Sequence, residues 1–329
     1  MREVAFIKQN KEKWLEVEQV IGGKLRKSPD DLSSLYINLI NDLSFAQTYY
    51  PKSKTTVYLN HLSSQIFQKI YKTKRLEENR LLYFFRTEVP LLVHQYRRYL
   101  LYAFAFFFLF VLIGVFSAEH DPEIVKIFMP NGEMYFEQTL ENIKKGNPIA
   151  IYGEGSNWGS WIMITLNNLK VGAILYVAGI FGGLGSLYFL LQNSLMLGGF
   201  QYFFYQNGAL LDSARGIWVH GTFEIFAMVI EAFAGLVLGA SILFPKTFSR
   251  LDSFKRGFRD SFKIFFSTVP FTIAAGVLEG FITRYSLEMP FVLNIMIILV
   301  SLAVIGFYYL VYPNIVYRKT QKIKENLIP

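Results

Sequence analysis

Cysteine is absent from the 329-residue sequence, which excludes disulfides, thiolate metal sites and cysteine nucleophiles. The sequence also lacks a Walker A loop, a Gly-x-Ser-x-Gly nucleophile turn and a dinucleotide-binding glycine pattern. The common nucleotide-binding and serine-hydrolase classes therefore have no support. Residues 1–30 lack the apolar run of a cleavable signal peptide, and we expect the N-terminus to begin and remain in the cytoplasm.

Apolar residues are abundant: 52% of the chain is hydrophobic, 17% is aromatic, and the mean hydropathy is positive. This composition is typical of a membrane protein. The net charge of +8 would also suit a nucleic-acid partner, but the lysines and arginines cluster beside apolar runs, where membrane topology explains them. We therefore expect membrane lipid, and no nucleic acid, as a partner.

The first third of the chain is polar and predicts a cytoplasmic helical domain over residues 1–84. Its amphipathic periodicity indicates about four helices, the first ending at Gly22-Gly23 and the second beginning at Ser28-Pro29. A third helix is expected from about Lys54 to Tyr71, and a fourth from Leu76. No catalytic constellation occurs in this region.

Residues 85–98 mix aromatic and basic side chains around Pro90 and predict an amphipathic elbow in the cytoplasmic interface. His94 in this segment is interpreted as an interface residue and not as a ligand. The fold class is then all-α, with a transmembrane domain over 99–311 and a basic cytoplasmic tail over 312–329. Six spans are predicted, at about 99–117, 161–180, 184–204, 221–244, 264–281 and 291–311.

Charge sets the predicted orientation of these spans. The loop over 118–160 holds seven acidic residues against three lysines, whereas 245–263 carries six basic residues against two aspartates. Because basic residues favour the cytoplasmic side, we expect both termini and the 245–263 loop inside and the 118–160 loop outside. The expected location is the bacterial cytoplasmic (inner) membrane, with several crossings.

The fourth predicted span carries ionisable residues on one stripe. His220, Glu224 and Glu231 fall within about 40° of each other on a helical wheel at 100° per residue. Charge in a membrane interior is costly, so such residues usually face a cavity, a partner or a substrate path. A buried polar network that only fixes helix packing is the alternative.

Two other spans carry polar residues at the same predicted depth. The second carries Asn167, Asn168 and Lys170, and the fifth ends with Glu279 just before Arg284. We predict an outward-facing polar pocket, with Lys170 as the counter-ion of Glu224 or Glu231 and Arg284 as that of Glu279. The predicted pocket residues are His220, Glu224, Glu231, Asn167, Asn168, Lys170, Glu279 and Arg284.

Such a pocket could serve two chemistries. His220 and Glu224 are spaced to hold a divalent metal on one helix face, with Glu279 completing the shell, although no recognised zinc motif is present. Buried carboxylates could instead hold or pass a cation or proton. No catalytic residue and no cofactor are predicted. Binding of a divalent metal remains an alternative.

The residues also resemble a known family. In the membrane region the match rests on His220-Gly221-Thr222-Phe223-Glu224, Asn167-Asn168, Glu231 and Glu279-Gly280-Phe281. Elsewhere it rests on Trp14, Tyr50-Pro51, Asp121-Pro122-Glu123 and Gly146-Asn147-Pro148. The chain resembles the stage II sporulation protein M family of bacterial integral membrane proteins, in its longer, non-sporulation form.

The resemblance implies a non-enzymatic scaffold or assembly component that links cytosolic and envelope partners, because the family's namesake is similar to a scaffold for peptidoglycan-degrading proteins. It also implies other membrane or envelope proteins and a cytosolic AAA-type ATPase as partners. The alternatives are a small transporter or channel component that uses the polar pocket, and a metal-dependent intramembrane hydrolase. Glycines at 179–185 suit a symmetric dimer interface, so a homodimer is a further expectation.

Overall fold

The computed structural model describes residues 2–25, 27–71, 79–128, 131–150 and 156–325. Every regular element in these ranges is helical, which confirms the all-α class. The α-helices are α1 (Glu3–Ile21), α2 (Pro29–Tyr49), α3 (Lys54–Tyr71), α4 (Arg80–Tyr83), α5 (Val89–Gln95), α6 (Arg97–His120), α7 (Ile124–Phe128), α8 (Gly132–Lys144), α9 (Asn157–Val177), α10 (Leu184–Gln206), α11 (Leu210–Leu243), α12 (Arg250–Phe266), α13 (Val269–Phe281), α14 (Phe291–Gly306) and α15 (Tyr312–Glu325). Short π-helical segments cover Phe84–Glu88 and Phe307–Val311, and 3₁₀ turns cover Ala178–Ile180 and Thr283–Tyr285.

The chain forms two compact units, Met1–Asn79 and Arg80–Pro329. The boundary lies a few residues before the predicted one at 84, because Phe84 and Val89 pack into the apolar core of the second unit. The start of the predicted fourth helix, at Leu76, lies outside the described residues.

The first unit consists of α1, α2 and α3 around an apolar core. Trp14 is buried in this core, and its indole Nε1 donates a hydrogen bond to the Asp42 carboxylate at 2.9 Å. Helix α2 begins where the Ser28 hydroxyl accepts a hydrogen bond from the Asp31 backbone N–H at 3.2 Å, which caps the free N-terminal amides. The buried residues of this core are Phe6, Trp14, Val17, Leu39, Leu43, Ala46, Leu59, Leu62 and Ile66.

The second unit holds the membrane helices. Five helical stretches are long and apolar enough to cross a membrane: Arg97–His120, Asn157–Ile180, Leu210–Leu243, Arg250–Tyr285 and Phe291–Ile323. This confirms a polytopic membrane protein.

The third predicted span, 184–204, corresponds to α10, which is 23 residues long but is not among these five, since Gln192, Asn193 and Gln201 interrupt its apolar sequence. Helix α10 runs antiparallel along α6: the backbone of Leu195 lies against Gly114, and that of Val111 lies against Gly198. Because α10 lies along a helix that can cross the membrane, we expect α10 to cross it as well. The total of six spans stays a prediction.

Helix α11 is the central element of the bundle and begins eleven residues before the predicted span at 221. It packs against α6, α9, α10, α12, α13 and α14. Its 34 residues correspond to about 51 Å, more than the roughly 30 Å of a bilayer core. The early start depends on a contact distant in sequence. The Arg215 guanidinium donates to the carbonyl oxygens of Ser286, Leu287 and Met289, so this charged residue is held within the helix.

The predicted cytoplasmic loop over 245–263 is instead the amphipathic helix α12. The Ser249 hydroxyl accepts from the Asp252 backbone N–H at 3.2 Å and caps its start. One face of α12 is formed by small residues, and Gly257 there lies against Ser241 of α11. The helix ends at Ser267, and α13 follows directly, so the fifth predicted span is shared between α12 and α13.

The predicted elbow over 85–98 is a π-helical turn followed by α5, and the chain bends at Tyr96 before α6. His94 lies against α15, where its Nδ1 is 3.0 Å from the Asn314 side-chain oxygen and its ring stacks on Tyr317. The interpretation of His94 as an interface residue stays a prediction.

Helices α9 and α10 form the predicted hairpin, and two glycines with φ of 67° and 86°, Gly182 and Gly183, make its turn. The glycines of this hairpin, at 179–185, pack against α11. Gly179 contacts the Gly235 backbone, and Gly183 contacts Gly239. Because this surface is covered within one chain, it does not support the homodimer, which stays a prediction.

Candidate intramembrane site

A cavity of about 330 Å³ lies between α9, α10 and α11, at the end of the bundle where α8 packs. Tyr135 of α8 lines it, and the neighbouring ring of Phe136 packs on Phe203 of α10 with centroids 4.6 Å apart. The other lining residues are Asn168, Val171, Asn193, Met196, Leu197, Phe200, Ile217, His220, Gly221, Glu224, Ile225, Met228, Glu231 and Thr272. A space of this size with seven polar lining side chains is compatible with a small polar ligand or several waters.

The ionisable stripe of α11 faces this cavity. His220, Glu224 and Glu231 all line it, as the helical periodicity predicts. His220 and Glu231 are each only 4% exposed. His220 lies ten residues inside α11, because the helix begins at Leu210.

The turn after α13 holds the His220 ring in place. The Thr283 hydroxyl lies 2.9 Å from His220 Nδ1, within hydrogen-bond distance. The other ring nitrogen, Nε2, faces Glu279, whose Oε2 atom is 3.7 Å away.

Two carboxylates complete a compact cluster with this imidazole. One ligand atom from each of His220, Glu224 and Glu279 lies within 4.8 Å of the other two. Glu279 comes from α13 and its side chain is 12% exposed. The Asn168 amide of α9 lies beside the Glu224 carboxylate, so three helices converge here.

Glu231 lies deeper along α11, two turns or about 10 Å beyond Glu224. Its Oε1 atom accepts a hydrogen bond from the Thr268 hydroxyl at 3.0 Å. The carboxylate also lies against Gly172 of α9, where an added Cβ would overlap it. The absence of a side chain at residue 172 therefore creates the space that Glu231 occupies.

One stripe of α9 carries polar side chains toward the neighbouring helices, since Trp161, Thr165, Asn168 and Gly172 recur at helical spacing. Trp161 and Thr165 lie against Gly280 and Gly276 of α13 and do not line the cavity. Asn168 lines the cavity, with its amide beside the Glu224 carboxylate. Only the Asn168 part of the stripe therefore faces a space for a polar ligand.

Two predicted pocket residues lie elsewhere. Asn167 and Lys170 are exposed on α9, and neither lines the cavity. The reason is angular: Lys170 is about 200° around the helix from Gly172, the residue that contacts Glu231. Lys170 is therefore not the counter-ion of Glu224 or Glu231.

Arg284 is half-buried in the turn that follows α13, on the same segment as Thr283. The predicted partner of Arg284, Glu279, faces His220. Helix α13 and the turn that follows it thus bring Glu279 and Thr283 to one imidazole.

Asn193 of α10 and Thr272 of α13 also line the cavity. The sequence interpretation missed Tyr135, Thr268, Thr283 and Gly172. A signal for Gly172 was present, because glycine four residues after Asn168 continues the same helix stripe. The roles of Thr268 and Thr283 depend on how α13 packs against α11, which no local pattern shows.

Comparison with known proteins gives this geometry its family context. Residues 103–284 match the family described as Stage II sporulation protein M. The chain belongs to this family. The matched range extends from α6 to the turn after α13 and contains every described residue of the His220, Glu224 and Glu279 cluster.

The N-terminal unit has a separate match. Residues 4–72 match a domain of unknown function (DUF8413). This range covers α1, α2 and α3, so the family boundary and the compact unit coincide closely. No curated protein and no solved structure matches the chain.

Proposed function

We propose that this protein is the cation-binding component of a transport system in the bacterial inner membrane. The observation that carries the proposal is the cavity in which His220, Glu224 and Glu231 meet, between helices that are otherwise apolar. Ionisable residues within membrane helices usually mark ion or substrate pathways. A cavity beside them gives a cation somewhere to reside.

The ionisable residues lie at two depths along α11, and this arrangement suits movement of a cation along the helix. The His220, Glu224 and Glu279 cluster forms the first level, and Glu231 with Thr268 forms the second, about 10 Å further along the helix. Carboxylates at successive depths can bind a cation or proton in turn. On α9, Asn168 lies beside the first level and Gly172 lies beside the second.

The predicted orientation places the first level toward the outside. Helices α7 and α8 belong to the acidic 118–160 loop, and Tyr135 of α8 lines the cavity. An acidic segment at the entrance attracts cations and repels anions. We therefore expect cations to enter from the extracytoplasmic side.

Flux through proteoliposomes tests the proposal. The purified chain is reconstituted, and entry of H⁺ and of Zn²⁺ is followed with internal dyes. We expect wild-type flux above empty vesicles, and a fall to the empty-vesicle rate for Glu231→Gln, since this variant keeps shape but cannot ionise. The matched control is Glu119→Gln, which changes an exposed carboxylate at the end of α6.

Either of two results would reject transport. One is a wild-type rate equal to that of empty vesicles. The other is an unchanged rate in Glu231→Gln, measured on protein that elutes as a single species.

A scaffold is the second candidate function, and the separate N-terminal unit favours it. This unit has its own core, yet Val4, Ile37 and Val57 remain at least 59% exposed. Exposed apolar residues on a small helical unit suit contact with a cytosolic protein, for which we propose an AAA-type ATPase. A transport component with a docking unit would combine both functions.

Co-purification after mild solubilisation tests the scaffold. We expect a cytosolic ATPase with wild type and its loss in Val57→Glu, with Glu12→Gln on the exposed face of α1 as control. Recovery of the same proteins at the same level with both variants would contradict docking by this surface.

A metal-dependent intramembrane hydrolase is the third candidate. The His220, Glu224 and Glu279 cluster is the observation that favours it, because a bound metal could activate water. Elemental analysis that finds no stoichiometric metal would reject this candidate.

A further inference from the structure

We propose that His220, Glu224 and Glu279 bind one divalent transition-metal ion of the zinc or manganese type, and this rests on the proposed function because it names the class of cation that enters the cavity. The three ligand atoms lie within 4.8 Å of one another. Imidazole with carboxylates is a donor set that suits Zn²⁺, Mn²⁺ and Fe²⁺.

The imidazole is prepared for a metal. His220 Nδ1 is fixed by the Thr283 hydroxyl at 2.9 Å, which leaves Nε2 to face the carboxylates. Metal-binding histidines commonly donate their second ring N–H to such a partner, which sets the tautomer and the ring plane. Thr283 is therefore a positioning residue for His220.

Charge balance favours a divalent ion. Glu224 and Glu279 are two carboxylates on neighbouring helices in a region with little solvent, and one M²⁺ would neutralise both. Two ionised carboxylates at this separation repel each other, and burial increases the cost. Lys170, the predicted counter-ion, is exposed on the opposite face of α9.

The distance between His220 and Glu279 argues against a network that only fixes packing. His220 Nε2 and Glu279 Oε2 are 3.7 Å apart, which is too long for a hydrogen bond. A dry structural pair would close this separation, whereas a metal held between the two ligands accounts for it.

The cluster also leaves a coordination position toward the cavity. Three protein ligands with a further open position are typical of exchangeable or catalytic metal sites, whereas structural zinc sites are closed by four protein ligands. Asn168 and bound water could fill the remaining position. We therefore expect an ion that exchanges with solution.

Metal content of the purified chain tests the site. The full chain in lipid nanodiscs is stripped with chelator, incubated with Zn²⁺, desalted and measured by elemental mass spectrometry. We expect about one zinc per wild-type chain and loss of most of it in His220→Ala and in Glu279→Gln. The matched control is His120→Ala, which removes an exposed histidine at the end of α6 and should leave the zinc content unchanged.

A second measurement separates lost binding from lost folding. Co²⁺ is added to the chelator-treated protein, and its visible absorption reports nitrogen and oxygen ligands directly. Glu279→Gln preserves the side-chain shape, so a folded variant with a weak or altered cobalt spectrum supports the site. Equal zinc content and equal spectra in wild type, His220→Ala and Glu279→Gln would overturn it, as would no retained metal in folded wild type.

The result is distinguishable from that of the flux experiment. Stoichiometric zinc without flux would support the metal site and reject transport. Proton flux that depends on Glu231, in a protein that retains no zinc or cobalt, would support transport and reject the metal site.

Discussion

The two units of the chain place polar and apolar residues in opposite ways. In the N-terminal unit the core is apolar, with Leu59 and Ile66 fully buried, and the charged residues lie on the surface. In the membrane unit the central helix buries His220 and Glu231, whereas Phe108 on α6 and Leu299 on α14 are more than half exposed.

Solvent explains the contrast. Water expels apolar side chains and so drives the first core together, but lipid is as apolar as leucine and gives no such drive. Membrane helices instead associate where small residues let backbones approach and where polar groups find partners. The glycine contacts between α11 and the α9–α10 hairpin, and the carboxylates beside them, are of this kind.

The largest expected effect is at a glycine in the centre of the membrane unit. A Cβ at Gly235 would overlap the Ser186 side chain, so Gly235→Leu must separate α11 from α10 and should abolish folded protein. Gly306→Leu is the matched control, because nothing lies within 4 Å of an added Cβ there. The measurement is the yield of monodisperse protein by size exclusion. Comparable yields for both variants would contradict packing through small residues.

A large loss of stability is also expected in the N-terminal unit, where the cause is the removal of a buried apolar side chain. Leu59 is 0% exposed, and Leu59→Ala should destabilise this unit by about 2–5 kcal/mol through lost burial and a cavity. Val57→Ala changes an exposed residue on the same helix and should cost less than about 0.5 kcal/mol. Hydrogen exchange of residues 2–71, followed by mass spectrometry, measures both. Equal protection in the two variants would show that the apolar core does not hold the unit.

A moderate effect is expected where a polar group stabilises the membrane core. Thr268→Val removes the hydrogen bond to Glu231 and should cost about 1–3 kcal/mol, because the carboxyl loses its partner in a buried site. Thr268→Ser keeps the hydroxyl and should retain most of the stability. Thermal unfolding in nanodiscs measures the difference, and identical midpoints for the two variants would contradict this contribution.

The smallest expected effect concerns pH and the first helix. Hydrogen bonds from the Ser53 and Thr55 hydroxyls hold the pKa of Glu3 below its ordinary value. A lowered folded-state pKa stabilises the unit above the ordinary pKa, and this contribution is lost as pH falls through the folded-state pKa. Protection of α1 against hydrogen exchange should thus decrease on acidification, and less so in Glu3→Gln. The same pH profile in Glu3→Gln and wild type would exclude Glu3 as the cause.

Much of the fold was predictable, because helical periodicity and hydropathy are local. The end of α1 at Gly22 and the start of α2 at Ser28 agree with the structure, as does the stripe of α11. The start of α11 was not predictable, since Arg215 finds its acceptors 71 to 74 residues further along the chain. The sequence around Arg215 does not show that carbonyl oxygens from a distant segment accept its hydrogen bonds.

The residue types of the site were predictable from the sequence, but the directions in which their side chains point were not. Asn167, Asn168 and Lys170 share a depth, yet adjacent positions point around the helix, and only Asn168 reaches the cavity. Hydropathy indicates how deep a residue lies in the membrane, but it does not indicate which side of the helix faces the cavity. The missing information was the packing of α9 on α11, which the contact between Gly172 and Glu231 shows.

An experimental structure in lipid, at a resolution that shows ordered solvent, tests the central claim most directly. The relevant region lies between His220, Glu224, Glu279 and Glu231, in protein supplied with Zn²⁺. We predict an open, hydrated cavity with density for one ion between the first three residues. A closed interface in which these side chains pair only with each other would contradict the claim and leave them as packing residues.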